Sequence, residues 1–580
     1  LQLLDEQVLE EQFKRVSAIL PPQRTVAFTY DRLLEYLLLN RLVEKFGINA
    51  DMVAECSNQS EHYLPLRGVL VTLLIAKADE GAFTDVAAFL RSGNPEVMKS
   101  IGLSLLMELE LMNPAIGESS ERELGESVSG QLIEALLDAA DVQTKRLLIE
   151  FGENLQKSGH YRRAGFLYDR LIAVLDESSE AVIVAKVWEG AGVVHGVFGR
   201  NQEALRYYEK SLEAYRSIGD QYGEQEILDA IGQVYFALGE FAMSRQYYER
   251  SLTIDSELVS NTRSKESRYG QAQSLLNLSD NFHRTGEIGE AMDCTQQAAR
   301  IYQDIDDQRG FAASLRQLGV LSRRNGLMEE ARQYEEQALA KHQEIGDRRG
   351  VANDYEELGS THQSEGKWDE ALIRCQRARE IYEELGDKAG LARTLNLIGE
   401  VHRWKGSFDD ALSAYTRALE IYKEIDGKLG VSMCLTNLGA THLFAGDPEQ
   451  AFRLLKEARA LDKDMLPHVE GDPENLAYLS AAAWTLGRHE DALSYSDAAM
   501  RVLESKQFGE EDYQLTYYYR YRILKDMDRE TEAFEALRVA FADLMQQADA
   551  IKNTDARDVF LHSFPVRVQI IEAWHSRQSP

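Results

Sequence analysis

Proline is scarce in this 580-residue chain, with ten in all and none between Pro114 and Pro448, so any helices in that span must end by some other device. Cysteine is scarcer still. Cys56, Cys294, Cys375 and Cys434 show no paired spacing, which excludes a C-x-x-C redox or metal motif and fits a reducing cytoplasm. No stretch reaches the eighteen or so apolar residues that a membrane helix needs; the longest candidate, Gly68 to Ala76, is too short. Positive charge is also in deficit. With 64 Lys and Arg against 96 Asp and Glu, the net charge of -32 argues against nucleic acid as a direct partner, because Lys and Arg must neutralise a phosphate backbone. The acidic residues are spread over helix surfaces, where they favour solubility and suppress loose association. Signatures of chemistry are missing too: there is no G-x-x-x-x-G-K-[ST], no H-E-x-x-H and no G-x-S-x-G. Neither catalysis nor a bound metal or cofactor is expected of these residues. The first residue is Leu1 rather than Met, so the chain is expected to be a piece of something longer, and the lack of a signal peptide carries no information.

What the chain has is a glycine at nearly constant spacing. Gly159, Gly199, Gly239, Gly286, Gly326, Gly366, Gly406, Gly446 and Gly487 follow one another at intervals of 40, 40, 47, 40, 40, 40, 40 and 41 residues, the mark of a repeat array. Seven residues before each stands a small residue, Gly152, Gly192, Gly232, Ser279, Gly319, Gly359, Gly399, Gly439 or Ser480, where two helices must approach closely. Five residues after it comes Ala164, Ala204, Ala291, Ala331, Ala371, Ala411, Ala451 or Ala492, with Ser244 in the third unit. One unit reads Leu395, Ile398, Gly399, His402, Gly406, Ala411, Tyr415, Ala418: a first amphipathic helix, a left-handed glycine stop, and the seam of a second helix.

This pattern resembles the tetratricopeptide repeat over roughly Leu132 to Ala550. The resemblance implies an all-α, right-handed α-solenoid of about ten helix hairpins spanning 131–550. The family's usual 34-residue form ends its second helix at a proline. Here that helix is expected to run on by about six residues and to stop at Ile218-Gly219-Asp220, Ile345-Gly346-Asp347 or Leu385-Gly386-Asp387, each a glycine C-cap followed by an Asp suited to start the next helix. The lengthened form is similar to repeats of kinesin light chains, cell-polarity adaptors and bacterial signalling ATPases. The 47-residue interval adds seven residues around Glu257 to Arg268, which either lengthen the helices by about two turns or form a loop.

The flanks differ from the array. Residues 1–113 read as an N-terminal helical region: Arg24 to Leu39 is similar to the end of a winged-helix element in signal-transducing ATPases, and Asn94-Pro95, followed by Ile101, Leu105, Leu106 and Leu109, starts a helix of HEAT-like layout. Residues 114–130 read as a linker. Residues 551–580, with Phe560-Leu561, Pro565 and Ile570-Ile571, resemble the capping helix of bacterial STAND-type ATPases, and the last hairpin needs such a cover for its exposed seam. Tyr513, Tyr517, Tyr518, Tyr519 and Tyr521 are assigned to core at that end.

Four histidines, His195, His362, His402 and His442, fill a slot the family gives to tyrosine. Successive rungs of such a ladder stand at least a helix-packing distance apart, so packing rather than metal binding is expected of them. Cys375 replaces its unit's buried aromatic and reads as a small core filler.

In such a repeat the first helix lines the concave face. The positions expected to meet a partner are Asp229, Gln233 and Phe236; Asp280, His283 and Arg284; Arg316, Arg323 and Arg324; Glu356, Ser360 and Gln363; and Asn396, Glu400, Arg403 and Trp404. Arg284, Arg316, Arg323 and Arg324 form a basic patch able to grip an acidic segment, unless they pair with Glu287, Glu329 or Glu330. The expected role is protein or peptide binding as the sensor half of a bacterial STAND-type ATPase, in antiphage defence or regulation. Any oligomerisation would fall to domains upstream. A passive adaptor like kinesin light chain and a small-ligand receptor are the alternatives.

Overall fold

The computed structural model describes residues 127–578, apart from 139–140, 177–178, 263, 426, 466–471, 505–512, 552–553 and 563, together with a few positions upstream: 86, 87, 90, 102, 103 and 105–107. The expected winged-helix pattern at 24–39, the Asn94-Pro95 helix start and Cys56 lie outside the described residues. Among those described there is no strand. No described helix is long and apolar enough to cross a membrane.

The chain forms two compact units, Leu1–Val234 and Tyr235–Pro580. The first holds α1 (Val128–Leu137), α2 (Val142–Lys157), α3 (Tyr161–Ala173), α4 (Ala181–Val197), α5 (Asn201–Ile218) and most of α6 (Gln221–Ala237). Its core joins Leu132, Leu136, Leu148, Phe151, Leu167, Tyr168, Ile183 and Val187, and it takes in Leu105 and Leu106 from the N-terminal region. Ser127 caps α1 by accepting from the Gly130 amide, so helix begins inside the stretch read as linker.

The second unit holds α7 (Phe241–Thr262), α8 (Lys265–Arg284), α9 (Ile288–Asp304), α10 (Gln308–Arg324), α11 (Met328–Glu344), α12 (Arg348–Ser364), α13 (Trp368–Leu385), α14 (Lys388–Lys405), α15 (Phe408–Glu424), α16 (Lys428–Phe444), α17 (Pro448–Met465), α18 (Pro473–Thr485), α19 (His489–Glu504), α20 (Tyr513–Asp526), α21 (Glu530–Ala550), α22 (Thr554–His562) and α23 (Pro565–Gln578). From α8 to α21 these helices pair in sequence, each first helix packing on its own second helix and on the one before.

All nine periodic glycines adopt φ between 69° and 87°. In that conformation the chain reverses tightly and its amides satisfy the helix's last carbonyls, as when Gly406 N–H donates to Arg403 O at 3.1 Å and Ser407 N–H to His402 O at 2.9 Å. The tenth hairpin, α20/α21, reaches the same geometry with Asp528 at φ 58°, which is why the glycine series stops one unit short.

Between hairpins Asp220, Asp347 and Asp387 cap as expected, and Asp307, which follows Asp306 rather than a glycine, does the same: they accept from the amides of Gly223, Gly350, Gly390 and Gly310 at 3.0–3.1 Å. Those four glycines have a second duty that the sequence reading missed. Each lies beneath a ring of the preceding helix, Tyr215, His342, Tyr382 or Tyr302, so close that a Cβ would stand 2.3–2.5 Å from ring atoms. The extra seven residues lengthen helices: α7 has 22 residues and α8 has 20, the latter capped by Ser264. Their added length is held by buried polar groups, with Ser274 donating to Asp255 at 2.7 Å.

The C-terminal cap is two helices rather than the expected one, because Pro565, lacking an N–H, opens a new helix, α23. Phe560 and Ile570 bury against Leu537 and Leu544, and Trp574 stacks on Phe541 at 4.6 Å, covering the last hairpin. Tyr518, Tyr519 and Tyr521 are core, as expected.

Within a hairpin the small residue meets the second helix's ring: a Cβ on Gly399 would stand 2.7 Å from Tyr415, whereas one on Gly289 in α9 would meet nothing within 4 Å. Gly399→Ala is therefore expected to destabilise by about 1–3 kcal/mol despite alanine's better helix propensity. Gly289→Ala should instead stabilise by roughly 0.4–1 kcal/mol. Urea melts of both variants check the opposite signs.

Candidate functional site

Successive first helices of the second unit touch one another, α10 with α12, α12 with α14, α14 with α16 and α16 with α18, while successive second helices make no comparable contact. Locally the first helices therefore form the inner layer. Residues one repeat apart on that layer face each other, and polar side chains there meet as rungs. Gln317 donates to Asp280 at 2.8 Å, Arg323 to Glu357 at 2.7 Å, and Arg393 to Glu356 at 2.6 and 2.8 Å. Arg316 lies 3.4 Å from Asp354, Gln363 reaches Glu400 at 3.5 Å, and Asn437 donates to Asn396 at 3.0 Å.

These rungs change the reading of the expected site. Glu356, Asn396 and Arg403 are buried, not exposed, because the neighbouring first helix closes over them. In the first unit Asp229 is also buried and accepts from Gln225 at 2.9 Å, while Gln233 is exposed. Ser360 turns its hydroxyl back to Glu356 O at 3.2 Å. Burial raises the Glu356 carboxyl above the usual range, and the Arg393 hydrogen bonds oppose that rise. Arg403 keeps its charge with its guanidinium 4.9 Å from the Trp404 ring. Trp404 in turn packs against Phe444 and Phe564.

The basic patch is partly used up in bracing. Arg316 and Arg323 pair with Asp354 and Glu357, not with the acids expected from sequence; Glu287 is held by Arg245, and Glu329 by Arg332. Arg284 and Arg324 are exposed, and Arg284 reaches to 6.0 Å from the Phe236 ring. Burial, then Arg324, Arg284 and Arg323, push the His283 imidazole down to about 4.

The four tyrosine-slot histidines serve their own hairpins. His195 packs on Tyr207 at 4.9 Å, while His362, His402 and His442 face Glu365, Asp410 and Asp447. Among the described residues no group of His, Cys, Asp and Glu stands together as a metal site.

A family model for the tetratricopeptide repeat matches residues 183–257, 310–384 and 390–464. These stretches are tetratricopeptide repeats. A Tonsoku-like protein of Danio rerio is 21% identical over 164 residues, 27% of this chain, and the match spans only 11% of that relative's length. Of solved structures, BtubC from P. vanneervenii is 21% identical with TM-score 0.32, 38% of this chain covering 91% of that one. A Rap protein complexed with competence and sporulation factor is 14% identical with TM-score 0.42, covering 62% and 98%. Aspartyl phosphate phosphatase F from Bacillus subtilis is 13% identical with TM-score 0.42, covering 68% and 94%.

Three successive units depart from the repeat pattern. The aromatic slot four residues after the alanine holds Thr295, Glu335 and Cys375 in three successive repeats, all fully buried. The Ala331-x3-Glu335 spacing is plain in the sequence, but nothing local to it marks the carboxyl as buried. Glu335 sits against Gly319, accepts from Thr361 at 2.7 Å, and has its carboxyl pushed up to about 7, chiefly by burial and against the pull of Arg323. Beside it His342 and Asp354 are buried 2.5 Å apart.

A carboxyl whose folded pKa is raised costs nothing at low pH, where it is neutral in both states. Its penalty grows as pH rises from the unfolded value of 4.5 to about 7, and is constant above. Glu335→Gln is expected to match wild type near pH 4 and to exceed it by about 2–3 kcal/mol above pH 7. Hydrogen exchange of α11 and α12 across that range reads the difference.

Proposed function

We propose that this chain is a protein-binding repeat scaffold that grips an acidic segment of its partner on the inner layer of α8 and α10. The observations that carry this reading are the exposed Arg284 and Arg324 at the ends of α8 and α10, helices joined by the Gln317–Asp280 hydrogen bond, in a chain of net charge -32. Exposed cations gathered against the sign of the whole molecule make a local well for carboxylates, and guanidinium forks bind carboxylates at two points. The His283 ring stays neutral well below physiological pH, so the site's positive charge comes from arginine, with the Asp280 and Glu357 carboxyls beside it.

The scaffold serves, in this reading, as the trigger-recognition half of a bacterial STAND-type signalling ATPase, in antiphage defence or regulation. Its support is the roughly 40-residue repeat, the pattern at Arg24 to Leu39 and the closing segment around Phe560 to Ile571, each resembling that class. Nucleotide hydrolysis by the complete gene product, switched on by a protein trigger, tests this part of the reading. A complete product without a nucleotide-binding domain leaves only the scaffold.

Arg316 and Arg323 brace the array, so the informative variant is Arg284→Glu with Arg324→Glu. A fluorescein-labelled Glu/Asp-rich peptide is expected to bind the wild-type chain in low salt and to lose about tenfold or more in affinity on this double change. The same affinity for both proteins in fluorescence anisotropy removes the acidic-segment reading.

A further inference from the structure

The C-terminal pair α22 and α23 does more than cover the last hairpin. That covering is done by Phe560, Ile570 and Trp574. Phe564, just before α23, reaches tryptophans of two much earlier hairpins. Its ring centroid lies 4.9 Å from Trp404 at 81° and 5.5 Å from Trp368 at 89°, edge-to-face with both. This is the favoured geometry for aromatic pairs. Trp404 sits near the end of α14, Trp368 opens α13, and Phe444 at the end of α16 extends the aromatic surface 5.9 Å from Trp404.

Phe564 is presented rather than left to find its own place. The Arg567 guanidinium lies between two rings, 3.9 Å from Phe560 and 4.4 Å from Phe564, and donates to Phe560 O at 3.0 Å. Pro565 fixes the backbone at the start of α23. The chain thus carries both an aromatic receptor surface and a short ligand for it, Phe564-Pro565-Val566-Arg567.

We propose that Trp368, Trp404 and Phe444 form an anchor site for an aromatic side chain of the protein partner, and that Phe564 is its resident competitor. A partner segment with the same chemistry, a Phe at a helix start followed by Pro and then Arg, takes the site by displacing the C-terminal turn. This deepens the reading of the array as a protein-binding scaffold and rests on it. The cis segment is tethered at high effective concentration, so an external segment binds weakly until the tethered one is removed.

The test uses the full chain and a labelled peptide copying residues 556–572. Phe564→Ala is expected to bind this peptide about tenfold or more tightly than wild type. Binding should vanish when the peptide's own Phe is changed to Ala, or when Trp404→Ala is added to the chain. Equal binding by wild type and Phe564→Ala, or no binding by the variant, overturns the proposal. A measurement on unaltered wild type guards against a folding defect: amides of 560–568 should exchange faster than those of α20 and α21, and equally slow exchange also overturns it. The acidic-peptide assay is independent of these outcomes, so a failed anchor site and a failed scaffold reading are told apart.

Discussion

Everything in this molecule depends on how closely two helices can approach. A ring of one helix needs a partner position with no side chain in its way, and the chain supplies it twice per repeat: within the hairpin, as at Gly399 beneath Tyr415, and between hairpins, as at Gly390 beneath Tyr382. The two contacts lie on opposite sides of the first helix's length and together fix its height and rotation. Where the ring is missing the constraint relaxes in a matched way. Thr295 faces Ser279, their hydroxyls 2.6 Å apart, so a larger small residue meets a smaller large one.

With spacing fixed, the first helices bring like positions of neighbouring repeats into register, and the polar rungs follow. A charged side chain on such a layer has a choice between solvent and the next rung, and Glu356, held by Arg393, has taken the rung. Surface ion pairs stabilise little, but a buried carboxylate without its cation is costly, so these rungs act on register more than on net stability. Arg284 and Arg324 remain exposed on this layer, whereas the aromatic surface about Trp404 is covered by Phe564.

The array was legible because its signals are local. A glycine in a left-handed turn and an alanine at a fixed offset are decided within one hairpin, and so are the Asp caps at 220, 347 and 387. The lengthened α7 and α8 were legible only as an alternative, since spacing alone does not tell two extra turns from a loop. Burial at the candidate site was not legible, because whether Asn396 or Arg403 meets water depends on the next repeat, forty residues on. Asp354, His342 and Glu357 escaped for the same reason, and Phe564 because its partners are remote in sequence.

Most contacts of α8 to α21 join sequence neighbours, so these hairpins can assemble one after another as the chain emerges during synthesis. The Phe564 contact is the exception, because its ring is made long after Trp368 and Trp404 are in place. The nascent protein therefore passes through a stage in which the tryptophan pair is already built and still vacant. Whatever meets the chain during translation encounters a surface that the finished molecule keeps covered.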